Sequence, residues 1–102
     1  MSLRIRLEGE RGEQYTAIYD PHHLFWHLIR ESDVKHTCCL RFIDPYGSTV
    51  FNRLQMPQLL NELEDLHKFI KSGEQAELLS KIKELVQRCD QEPHLYIKIY
   101  GD

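Results

Sequence analysis

Apolar and polar residues alternate one for one at both ends of this chain, and between the ends the apolar residues return every three or four positions. Leu3, Ile5 and Leu7 alternate with Arg4, Arg6 and Glu8, the period-two pattern of a strand with one buried and one wet face. Gly9-Glu10-Arg11-Gly12 supplies glycines for a tight connection, and Gln14 to Tyr19 is rich in strand formers, which predicts a hairpin. Asp20-Pro21 predicts a helix start: the aspartate accepts from orphan amides of the first turn, and proline there loses nothing by lacking an N–H. A helix from Pro21 to Glu31 gathers Leu24, Phe25, Leu28 and Ile29 on one face.

Apolar and β-branched residues return from Lys35 to Ile43, which predicts a strand. Asp44-Pro45-Tyr46-Gly47 then suits a type I turn followed by a left-handed glycine, with Ser48 to Asn52 as the returning strand. Pro57 opens a second helix with a poor cap before it, marked by Leu59, Leu60, Leu63, Leu66, Phe69 and Ile70. Lys71-Ser72-Gly73 interrupts the pattern, and Leu78, Leu79, Ile82, Leu85, Val86 and Cys89 resume it in a new phase, which predicts an αα-hairpin. Glu64/Lys68, Glu77/Lys81 and Glu84/Arg88 sit at the i, i+4 spacing of solvated helix faces. After Glu92-Pro93, Leu95, Ile97 and Ile99 alternate with Tyr96, Lys98 and Tyr100 in a last strand. The order is ββαββααβ: one α+β domain over residues 1–102, with a mostly antiparallel sheet of about five strands and three helices packed on one face.

Composition adds limits. The 102 residues, 41% of them hydrophobic and 28% charged, suffice for one core and lie far from the signature of disorder. No run approaches the roughly 20 apolar residues of a membrane span, and the first strand's alternation stands where a signal peptide would have a continuous apolar run. Three cysteines, two of them adjacent, make no disulfide framework. These features predict a cytoplasmic protein without a membrane partner. The net charge of −3 gives no general affinity for phosphate backbones.

Two constellations are weighed as chemistry. His22, His23, Trp26, His27 and Arg30 share the polar face of the first helix, and His23 and His27, one turn apart, form half of a metal site. No zincin glutamate or fixed third ligand accompanies them, so a partly exposed polar face is the stronger reading, and neither a metal nor a cofactor is expected. On the expected strand, Cys38 and Cys39 point to opposite faces, and His36 shares the face of Cys38 as a base for a nucleophilic thiol. Buried cysteine as a small hydrophobe outweighs that role. Glu62, Glu64 and Asp65 fall on the wet side of their helix, and phosphate loops and nucleophile elbows are missing, so the balance leans against an enzyme.

The outward sheet face carries more. If the Leu/Ile positions of the first and last strands face the helices, then Arg4, Arg6, Tyr96, Lys98 and Tyr100 face away, with Arg41 a candidate to join them. Interleaved aromatic and cationic side chains serve protein interfaces and single-stranded nucleic-acid binders alike. The acidic balance ranks a protein partner or self-association above nucleic acid. The expectation is a small non-enzymatic interaction or regulatory module using this face together with His23, Trp26 and His27. A nucleic-acid binder on the same face comes second, and a small metal- or thiol-dependent enzyme third.

Overall fold

The two stretches with the cleanest alternation, from opposite ends of the chain, lie side by side at the centre of one antiparallel sheet. The computed structural model describes residues 3–20 and 22–101. Strand β1 (Leu3–Gly9) is flanked by β2 (Gln14–Asp20) and β4 (Leu95–Tyr100), and β3 (Ser48–Phe51) lies outside β4, giving the order β2-β1-β4-β3. Burial explains the order. Leu3, Ile5, Leu7, Leu95, Ile97 and Ile99 are all buried, which suits central strands, whereas β2 buries only Asp20 and β3 only Phe51. The fold is α+β, with four strands and three α-helices among the described residues, one strand fewer than expected.

Helices α1 (Leu24–Glu31), α2 (Met56–Asp65) and α3 (Gly73–Gln91) close the core over the Leu/Ile face of the sheet. Each fully buried aliphatic or aromatic side chain, such as Phe25, Leu63 or Leu79, contributes about 1.5–3 kcal/mol. None of these helices is long and apolar enough to cross a membrane.

Asp20 caps α1 as expected: Oδ1 accepts from Leu24 N at 2.9 Å and Oδ2 from Phe25 N at 2.8 Å. The α-helix itself begins later than expected, because His23 stands in the left-handed region at φ 59° and precedes it. Pro21, the expected first helical residue, lies outside the described residues. Pro57 stands in the first turn of α2, which has no side-chain cap of its own, and the reciprocal cap of Asn52 with Gln55 lies on the short 3-10 turn that leads into it. A second 3-10 turn, Leu66–Phe69, ends the α2 stripe, and Ser72 Oγ caps α3 by accepting from Gln75 N at 3.1 Å.

The strand expected from Lys35 to Ile43 does not form. Two 3-10 turns, Val34–His36 and Leu40–Phe42, take its place. The amides of Cys38, Cys39 and Leu40 donate to the carboxylate of Glu62 on α2, at 2.8, 3.1 and 2.9 Å, leaving them no sheet partner. Cys39, Leu40 and Ile43 enter the core, so the apolar run marks burial of a loop and not extended backbone. Asp44-Pro45-Tyr46-Gly47 still turns the chain, with Gly47 N donating to Asp44 O at 3.3 Å. It is not a hairpin loop, because no strand precedes it, and Gly47 is not left-handed. Among the described glycines the positive φ belongs to Gly12, at 83°, in the β1–β2 connection.

The helix-face charges pair differently from their i, i+4 spacing in two of three cases. Lys81 meets Glu77 at 3.4 Å as expected, but Arg88 turns to Glu92 at 2.8 Å, and Glu64 accepts from Lys83 on α3. That hydrogen bond holds the Glu64 carboxyl below its ordinary range.

Candidate functional site

The strand register builds the outer sheet face in rows. Arg4 stands between Tyr19 and Tyr100, Arg6 between Ala17 and Lys98, and Glu8 beside Tyr96. On the other edge β3 adds Ser48 beside Tyr100 and Val50 beside Lys98. Arg4 is exposed, while Arg6, Tyr96, Lys98 and Tyr100 are half-buried, each held partly by its neighbours.

The cations on this face are occupied. The Arg4 guanidinium lies 5.6 Å from the Tyr19 ring centre, the Arg6 guanidinium 5.1 Å from that of Tyr100, and the Lys98 ammonium 4.8 Å from the same ring. Beneath them Glu8 is only 6% exposed. Its Oε2 accepts from the Tyr100 hydroxyl at 2.8 Å and lies 3.0 Å from Arg6 Nε, while Arg6 Nη1 donates to the Tyr100 hydroxyl at 3.3 Å. The Nε approach is off the N–H direction, so that contact is an ion pair without a hydrogen bond. Carboxylate, guanidinium and phenol thus form one closed group that fixes three side chains and cancels one charge.

At the Glu8 end a hollow of about 290 Å³ opens between Gly12, Val50, Tyr96 and Lys98, just under the ~300–1,000 Å³ of small-molecule sites. Exposed Tyr19 and Val50 stand on the two edge strands. Sequence patterning placed the five cationic and aromatic residues on this face, and the register brings them together. It missed Glu8 as their organiser, although an acid two residues from Arg6 on one strand face was a legible signal.

The first-helix residues belong elsewhere. α1 packs in the helical layer, on the opposite side of the sheet, so His23, Trp26 and His27 do not form one surface with Arg4 and Tyr96. His23 lies before the helix, not within it, and connects to His27 by the His27 N to His23 O hydrogen bond of 2.9 Å. Among the described residues no three His, Cys, Asp or Glu side chains gather as a metal requires. Trp26 packs against the core, and its Nε1, like His23 Nδ1, is buried without a hydrogen-bond partner.

Arg41 does not join the sheet face. It sits in the Leu40–Phe42 3-10 turn with its guanidinium 4.6 Å from the Phe42 ring centre. His36 does not stand over Cys38 on a strand but pairs with Asp33 at 3.3 Å. Cys38 is exposed and Cys39 buried. Burial first, then the Glu62 and Cys38 charges, push the Cys39 thiol up to about 11, and burial likewise pushes Cys89 to about 11. Glu62 itself, expected on a wet helix face, is 4% exposed and also accepts from Gln58 Nε2 at 2.8 Å.

No family model matches this chain, and no curated protein or solved structure is found to be similar to it.

Proposed function

We propose that this chain is a non-enzymatic interaction module that binds a protein partner through the outer face of its sheet. One observation carries the reading: the Glu8–Arg6–Tyr100 group, with Lys98 over Tyr100 and Arg4 over Tyr19, makes the face aromatic and ordered and cancels one of its three positive charges. Phosphate binding favours cations left free, because affinity comes from releasing counterions to each neutralised phosphate. Here Glu8 already neutralises Arg6, and what remains on offer is Arg4 and Lys98, each stacked on a tyrosine ring, with the Val50 side chain and the hollow beside Tyr96. Tyrosine and arginine held in place before contact are what interface centres use, since little entropy is lost on docking.

Tyr96→Ala tests this. A central aromatic anchor is worth about 2 kcal/mol or more, so the complex formed by the wild-type chain in extract should weaken roughly thirtyfold while circular dichroism is unchanged. Added salt should weaken it only modestly. An unaltered complex in Tyr96→Ala, or tight oligonucleotide binding that falls log-linearly with salt, would overturn the proposal.

A further inference from the structure

The sheet has two edges, and they are built differently. β3 is four residues long, and shortness is itself a guard against further pairing. β2 is seven residues long and carries no lysine, arginine or proline, and its one charge, Asp20, is buried on the amides of α1. An antiparallel ladder uses the N–H and C=O of alternate residues, so those of the other residues of β2 face outward. Among the described residues no loop or turn backbone hydrogen-bonds to the backbone of positions 14–19.

Below this edge runs a groove between Thr16–Tyr19 and one side of α3, with Ile18, Leu78 and Leu85 in it. Ala17, Ile18 and Lys81 share its middle. Glu74 borders the end near Tyr19, and Arg88 the end near Thr16.

We propose that β2 pairs antiparallel with β2 of a second copy of this chain, about a two-fold axis at Ile18. Such an interface must be complementary to itself. On the helix side the axis sets Ile18 opposite Ile18 of the other copy. On the outer side it sets each Tyr19, 57% exposed in the single chain, opposite the small Ala17 of the other. Because Lys81 lies beside Ala17 and Ile18, the same axis runs the two α3 helices antiparallel. Glu74 of each copy then faces Arg88 of the other, and the two Lys81 side chains meet across the axis with Glu77, their partner within each chain, and Glu84 about one turn to either side. An unrelated strand could use the free amides, but only a second copy answers both the strand pattern and the order of charges along α3. The outer faces of the two copies lie on the same side of the joined sheet, and the hollow beside Tyr96 on β4, two strands from the seam, stays open to a partner.

Sedimentation equilibrium on the full chain should show a concentration-dependent dimer. Ala17→Lys, which puts the side chain natural edges use for protection into the middle of β2, should weaken it at least about tenfold. Glu74→Arg and Arg88→Glu should each weaken it severalfold, and mixing the two variants should restore it, because both cross-copy pairs are then opposite in sign; the restoration also shows that both variants fold. A chain monomeric at every concentration overturns the proposal. So does a dimer indifferent to Ala17→Lys and to the charge exchange; if that dimer is lost in Tyr96→Ala, the outer face holds it, which separates this failure from failure of the outer-face reading.

Discussion

Glu62, between the 38–40 loop and α2, and Glu8, on the outer sheet face, are both nearly inaccessible, at 4% and 6% exposure, and they differ in what they accept. Glu62 takes three backbone amides and the Gln58 amide, all neutral donors, and so replaces the sheet ladder that this stretch lacks. Glu8 takes side chains, the Arg6 guanidinium and the Tyr100 phenol, and so arranges a surface without holding any backbone. The same residue type buried to the same degree therefore serves folding in one region and surface chemistry in the other. What decides is whether its donors are main chain or side chain.

The comparison is broken most severely at Glu62. Glu62→Ala leaves three amides without their acceptor, and at about 1–3 kcal/mol for each buried unsatisfied group, with water reaching the exposed Cys38, the loss should be about 3 kcal/mol. Glu62→Gln, with one acceptor oxygen in place of two, should recover only part of it. Urea unfolding measures both, and a wild-type midpoint in Glu62→Ala would show that the loop does not depend on this carboxylate.

Glu8→Gln sharpens the other side. It should cost only about 1 kcal/mol, because the glutamine oxygen can still accept from the Tyr100 hydroxyl, yet it frees the Arg6 charge. Retention on an anionic matrix such as heparin should rise and become more salt-sensitive, without loss of fold. Unchanged retention would mean that Glu8 does not set the charge character of the face.

The smallest effect at neutral pH belongs to the thiols near Glu62. Exposed Cys38 should be alkylated first, with Cys39 and Cys89 unreactive until the chain unfolds. The two buried thiols ionise near 11 in the folded chain against the ordinary 9.0. The folded state thus keeps protons that the unfolded state releases, so the thiols' contribution to stability is constant below pH 9.0 and falls between 9.0 and about 11. Cys89→Ala should flatten that fall in a series of unfolding midpoints against pH, and an unaltered slope would exclude Cys89 as a cause.

Asp20 is a third buried carboxylate, and its role was legible, because a helix cap works through amides a few residues along the same chain. Glu62 answers amides 22 to 24 residues away, and Glu8 a phenol 92 residues away, and no local pattern shows such partners. The loop at 35–43 carries a strand-like pattern for the related reason that apolar spacing reports burial, while extended backbone also needs a neighbouring strand.

By itself the sequence determined the helices, β1 and β4 by alternation, β2 by its strand-forming residues, the short β3 after its turn, and the face on which Arg4, Arg6, Tyr96, Lys98 and Tyr100 gather. Each of these rests on periodicity or on caps within a few residues. Only the tertiary structure decided that β4 enters between β1 and β3, that the first-helix histidines lie across the sheet from its tyrosines, and that Glu8 and Glu62 are buried. Those outcomes depend on which elements become neighbours, and that is settled by the packing of all the apolar faces at once.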